Sequence, residues 1–269
     1  MFELELSKGL FAGHATVNKF GCAVAGIQTS ATDLWDRADA TQTQRIWLAP
    51  TAPRIHTIAS TDAGDDTGGI GANSVTISYL PDWDSKEKTE TVTGDLSSGI
   101  AMNNAAVMIH RMKVNPQATS TTTNTGIITA TAATDSTVTA QINIGWGQTQ
   151  MAIYGFGSTQ TAYLTQWYAS IHKASGAAAH VNYQLRFNPN PNVQTVTFLS
   201  KETRGLQSTG NSNKGFPHDD LPKKFPGPGI LKVQGAASAA DIEGAAGFNL
   251  VMLDNDLNPK HALTTALYR

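Results

Sequence analysis

From Val181 to Phe187 the chain alternates without a break. Val181, Tyr183, Leu185 and Phe187 are apolar, and Asn182, Gln184 and Arg186 between them are polar. A side-chain period of two belongs to a strand with one buried face and one wet face, not to a helix with its period of 3.6. Val75, Ile77 and Tyr79 repeat the pattern around Thr76 and Ser78, as do Val138, Ala140, Ile142 and Ile144 around Thr139, Gln141 and Asn143. Apolar runs at residues 45–48, 105–114, 126–132, 151–156, 162–172, 193–200, 230–234 and 248–253 read as strands covered on both faces. Turn-forming clusters rich in Gly, Asn, Asp, Ser and Pro separate them, at residues 62–73, 93–98, 115–124, 188–192 and 206–228. Many short strands with such punctuation predict an all-β chain, an antiparallel β-sandwich of jelly-roll type. A parallel α/β sheet would need long amphipathic helices between the strands, and none is legible.

One segment invites a short helix: Thr32 as N-cap for residues 33–38, with Asp33 and Asp36 in the first turns, where the helix dipole favours acids. Residues 238–244 suit either a helical turn or a loop. The stretch FPHDDLPKKFPGPG at residues 216–229 cannot be helical and makes a poor central strand, because proline removes ladder donors. It is expected to be an ordered surface crossing or an arm laid on a neighbour. The division expected is an N-terminal arm with a short helix over residues 1–43, a β-sandwich domain over 44–255, and a C-terminal tail over 256–269. No fixed-period repeat marks a solenoid or a propeller.

Composition narrows the function. Charged residues are 15% of the 269, against roughly 25% in typical soluble domains. The net charge of −2 gives no basic face for phosphate neutralisation, so nucleic acid is not an expected partner. No apolar stretch approaches the ~20 residues that span a bilayer. The opening MFELELSKGLF lacks the basic, then continuously apolar, order of a secretory signal, so no membrane partner is expected. The lone cysteine, Cys22, excludes an intramolecular disulfide and a multi-cysteine metal site.

No motif supports an enzyme. The seven histidines, at positions 14, 56, 110, 172, 180, 218 and 261, show no metal-ligand spacing. His56, His110 and His172 fall in strand runs, where a hydrogen-bonded structural role is the default. Gly155-Phe156-Gly157-Ser158 lacks the second glycine of a nucleophile elbow and reads as a hairpin turn between residues 151–156 and 162–172. Residues 68–71, Gly-Gly-Ile-Gly, have neither the lysine nor the following helix of a phosphate cradle. Asp62, Asp65 and Asp66 have oxygen ligands for calcium but not the order of an EF-hand, and turns favour the same residues. Asp82, Asp84, Glu87 and Glu90, paired with Lys86 and Lys88, read as a solvated hairpin edge. Trp146, Tyr163, Trp167 and Tyr168 could stack on sugar rings, but core or interface anchors are the favoured reading. No catalytic residue, cofactor site or metal site is therefore expected.

Several strings resemble a group of β-rich virion structural proteins of tailed bacteriophages. They are TAPRIHTIAS (residues 51–60), GIGANSVTISYL (69–80), EKTETVTGDL (87–96), GQTQMAIY (147–154), TAYLTQWYA (161–169) and AGFNLVMLDN (246–255). The likeness covers residues 45–255. It implies a structural component of the virion. Within that group, a capsid decoration (cement) protein on the capsid surface is favoured. Such a protein would be a homo-oligomer, a trimer for instance, bound to the major capsid protein lattice and assembled in the host cytoplasm with Cys22 reduced and packed. A tail or spike component that binds a host-surface glycan or receptor is the alternative.

Overall fold

The computed structural model describes residues 12–37, 44–115, 123–172, 178–193, 198–208, 214–216, 222–240 and 242–257. These residues form strands and short 3-10 turns, with no α-helix among them. Every strand pair is antiparallel, and the strands form four sheets.

The first sheet runs β1 (His14–Ile27), β17 (Ile242–Asp254), β11 (Gln160–His172), with β14 (Lys214–Phe216) and β15 (Lys223–Pro226) both on the far side of β11. The second runs β10 (Ile153–Phe156), β16 (Gly229–Ala237), β12 (Ala179–Asn188), β13 (Leu199–Ser208), with β2 (Thr32–Asp33) also on β16. The third is β6 (Ile100–Ala101), β3 (His56–Ser60), β8 (Ile128–Ala132), β9 (Val138–Ile142). The fourth is β5 (Lys88–Thr93), β4 (Ser74–Leu80), β7 (Met108–Val114). The described residues run first through the first two sheets, leave to build the third and fourth from β3 to β9, and return. The four-sheet arrangement is that of a four-bladed propeller and not clearly a jelly-roll sandwich.

Burial of apolar side chains, the main favourable term in folding, is organised in two clusters. One is shared by the first and second sheets, with Trp167, Tyr183, Phe187 and Phe248 among its largest members. The other joins the third and fourth sheets around Ile58, Ile77, Met112 and Ile142, and it also takes in Trp35, Trp47 and Met151 from segments that flank the second sheet and Ile230 from its strand β16. Those four residues tie the second sheet to the other core.

The alternation at β12 is confirmed: Val181, Tyr183, Leu185 and Phe187 are buried and Asn182 is exposed. β9 differs, with all five residues buried. Thr139 and Gln141 were expected to be wet. The incoming segment before β3 covers them instead: Trp47 Nε1 donates to the Thr139 carbonyl (2.9 Å), and Arg37 donates to Gln141 Oε1 (3.2 Å).

The short helix expected at 33–38 is not formed over its described residues, 33–37. Thr32–Asp33 pairs with β16 and Trp35 bridges to Met151. Asp33 is drawn inward to a buried lysine, which a solvated helix start would not permit. The N-terminal arm also needs correction, because His14–Ile27 is a strand paired along β17 and not an appendage. Residues 45–48 are not a strand, and Trp47 is anchored by its indole. Within 206–228, β14 and β15 are strands, and Pro226 lies in an edge strand, where a missing donor is tolerated. Residues 155–158 do not close a hairpin: β10 stays in the second sheet and β11 enters the first. Beyond the 3-10 turn Asn255–Leu257, the expected tail lies outside the described residues.

Candidate functional site

Several ionisable groups of the described residues meet at the seam between the two cores. β1 supplies Lys19, β7 supplies His110 and Arg111, β10 supplies Tyr154, and Glu87 sits just before β5. Together with Ser78 they line a cavity of about 130 Å³. Sheet packing, not sequence proximity, brings them together. His110 Nδ1 lies 2.5 Å from Glu87 Oε2; the histidine is buried, while the glutamate side chain is 38% exposed at the mouth. The Tyr154 ring stacks on His110 with centroids 4.2 Å apart, and its hydroxyl hydrogen-bonds Glu87. Lys19 Nζ donates to the His110 carbonyl, and Arg111 donates to the Asn18 carbonyl (2.8 Å).

Burial sets the electrostatics. It pulls the Lys19 ammonium down to about 7, helped by Arg111 and opposed by Glu87 and Asp36. Burial alone would raise Glu87, but the charge and hydrogen bond of His110, with Lys19 and Tyr154, outweigh it and hold the carboxyl below its ordinary value. Burial and then the charge of Glu87 push the Tyr154 phenol well up. Asp36 is buried with one carboxylate oxygen lacking a partner, and burial pushes its carboxyl well up despite the Gln150 amide (2.5 Å) and Lys19. A carboxyl, an imidazole, a phenol and an amine in contact can exchange protons. This cavity is less than half the roughly 300 Å³ at which small-molecule pockets begin, although Glu87 and Tyr154 also line a second cleft of about 380 Å³ with His14, Lys86, Gln160 and Asp254. The smaller of the two admits a few waters, each about 30 Å³.

The residues weighed from sequence separate cleanly. Asp65 is buried, and its oxygens accept from Ser60 Oγ (2.5 Å) and from the amides of Ala72 (2.8 Å), Thr125 (2.8 Å) and Gly126 (2.9 Å). Those donors fill the lone pairs a cation would need. Asp66 is engaged by the Ser97 amide and hydroxyl, and Asp62 caps the turn at Gly64. The glycines at 68–71 lead into β4, not into a helix. Trp167 is fully buried, Tyr163 and Tyr168 are half-buried, and Trp146 is 37% exposed. Cys22 is half-buried, and burial, with Asp36 nearby, pushes its thiol up to about 12. Glu87 was expected at a solvated edge; the structure places it at the charged seam.

Among the histidines, 218 and 261 lie outside the described residues, while His172 and His180 are exposed. His56 is fully buried, with Nδ1 3.0 Å from the Arg54 carbonyl. Burial depresses its pKa from 6.5 to about 4, against that hydrogen bond and the charge of Asp135. The folded protein therefore binds fewer protons here than the unfolded chain, so this contribution is complete above pH 6.5 and lost as pH falls toward 4. The loss amounts to about 3 kcal/mol at 1.36 kcal/mol per pH unit. His56→Phe should flatten this part of the acid limb in urea titrations between pH 6.5 and 4; an unchanged slope would assign the limb to other groups.

No family model and no curated protein matches the chain. Solved structures give weak likenesses. "Structure of infectious bursal disease virus Gx strain" has a TM-score of 0.26 and 9% identity, covering 91% of this chain and 73% of that one. "The 2.6A structure of Infectious Bursal Virus Derived T=1 Particles" has a TM-score of 0.24 and 9% identity, covering 90% and 70%. The CBM22-1-CBM22-2 tandem domain of Paenibacillus barcinonensis Xyn10C has a TM-score of 0.24 and 8% identity, covering 87% and 93%. At these scores none of them carries an inference about this chain.

Proposed function

We propose that the chain is a non-catalytic structural protein of a phage virion, a capsid decoration protein that binds the major capsid protein lattice as a homo-oligomer such as a trimer. On this reading each pair of sheets with a common core acts as a sandwich, and the protein's place is the outer surface of the head. The observation that supports it is an inversion of the usual skin. Lys19, Asp33, Asp36, Asp65 and Lys232 are buried, while Ile46, Leu48, Ile70, Ile144, Val193 and Leu199 stand exposed. A skin that trades charge for large apolar side chains has less to desolvate when a protein neighbour covers it. The charged seam, closed by the Glu87–His110 contact, acts as a joint between the two cores.

The test is co-sedimentation of the purified chain with expanded capsids of the phage that encodes it. Saturable binding at a copy number comparable to the capsid subunits, together with a small symmetric oligomer in ultracentrifugation, is expected. Recovery of only a few copies per particle would replace this reading with the tail or spike alternative. No association with any particle would end both.

A further inference from the structure

Trp146 is an exposed tryptophan on a loop whose backbone is firmly held. It lies between Gly145 and Gly147, whose φ values of 76° and 66° are left-handed and favour glycine. The loop is pinned from beneath by Asn124, which is buried. The Asn124 side chain donates to the Asn143 carbonyl (2.9 Å) and accepts from the Gly147 amide (3.1 Å), and its backbone carbonyl accepts from the Gly145 amide (3.0 Å). The Trp146 amide itself donates to the Asn143 carbonyl (3.1 Å). A surface tryptophan whose backbone is fixed in this way loses little backbone entropy when a ligand settles on it.

The indole forms one wall of a cleft of about 310 Å³ on the outer face of the first sheet. Its floor is built by strand register. Ser170 and His172 lie two apart on β11, opposite Ala245 and Glu243 on β17, so all four side chains point away from the core into which Ile171 is buried. The side chains of Ser170, His172 and Glu243 make no hydrogen bond to another described residue. The floor is kept low by Ala245 and the backbone of Gly244. The cleft thus has one apolar wall, a flat floor, a carboxylate acceptor, and an imidazole and a hydroxyl that each donate or accept.

We propose that this cleft is a binding site for a neutral hexopyranose. One face of such a ring is a patch of C–H groups suited to an indole, and its edge carries hydroxyls that donate to Glu243 and bond Ser170 and His172. The volume is at the lower end for small-molecule sites and suits one or two sugar units. An apolar side chain from a protein neighbour would cover three polar groups without satisfying them, which is costly. Acidic sugars are disfavoured by Glu243. This site does not depend on where the protein sits on a particle.

Ligand-observed NMR with the full chain and a panel of methyl glucoside, galactoside, mannoside and N-acetylglucosamine, each titrated into the millimolar range, tests the proposal. At least one should show saturable transfer, with affinity weakened about tenfold or lost in Trp146→Ala and clearly weakened in Glu243→Gln, both variants keeping the native circular dichroism spectrum. The absence of saturable transfer from every sugar, or equal binding by Trp146→Ala, would overturn it. So would a change of oligomeric state in Trp146→Ala, which would make the cleft a subunit contact. Capsid co-sedimentation of the same variant, expected to be unchanged, keeps failure of the sugar site separate from failure of the decoration reading.

Discussion

Asp33→Ala should lower the unfolding free energy by about 3–5 kcal/mol, the usual cost of removing one partner from a buried ion pair. Asp33 is fully buried and receives Lys232 Nζ (2.6 Å), Gln234 Nε2 (2.9 Å) and the Trp47 amide (2.8 Å). Truncation to alanine strands the Lys232 ammonium in the interior, facing the Phe198 ring 4.2 Å from Nζ. It also orphans the Trp47 amide and so loosens the segment that ties the second sheet to the other core. Guanidinium unfolding should show the midpoint displaced, and the melting temperature should fall by about 10 °C. The double variant Asp33→Leu/Lys232→Met removes both charges and should recover much of the loss, because a buried pair is often no more stabilising than apolar residues of its size. It should not recover all of it, since Gln234 and the Trp47 amide still lack their acceptor. A single variant within about 1 kcal/mol of the parent, or a double variant no better than the single, would show that water reaches the pair.

The same residue shows where sequence reading stops. Asp33 and Asp36 after Thr32 resemble the start of a helix, and nothing local says that Lys232, about two hundred positions away, will claim the first carboxylate. Strands were legible where one face meets a core and the other meets water, as at β4 and β12. β13 was less so: seven of its ten residues are exposed, so no inward periodicity marks it, and its strand character comes from pairing with β12. β1 was hidden for the opposite reason. Lys19 occupies a buried position and Gly21 follows, so the inward residues do not look apolar. The charged seam was illegible because its members lie on four separate segments, and Glu87, between two lysines, has the local appearance of a solvated turn. The one available signal was Lys19 itself, a charge amid the mostly uncharged residues of 14–27. The turn at Asp62 was readable, because its carboxylate caps the Gly64 amide two residues on, whereas the partners of Asp65 at Thr125 and Gly126 and of Asp66 at Ser97 come from distant segments that no local pattern announces.

Gly21→Ala should be the most damaging single-methyl change in β1, and it discriminates between an integral strand and an arm. A Cβ at this position would lie 2.2 Å from the Leu34 carbonyl oxygen and 2.4 Å from the Ala152 nitrogen. Those two atoms are hydrogen-bonded to each other at 2.8 Å, so they form a rigid bar across the face of the strand. Neither is the movable end of a side chain. The methyl must either break that bond or push β1 away from β2 and β10, and overpacking of this kind costs about 3 kcal/mol. The displaced strand would also withdraw Lys19, two residues earlier, from the His110 carbonyl and so open the charged seam. Hydrogen exchange should therefore accelerate in residues 14–27 and along the facing amides of β17, while β3, β8 and β9, enclosed in the other core, keep their protection. Ala15→Ser, at an exposed position of the same strand, should change neither. An arm lying outside the folded body would tolerate both substitutions alike, so equal behaviour of the two variants would return residues 14–27 to the status of an appendage.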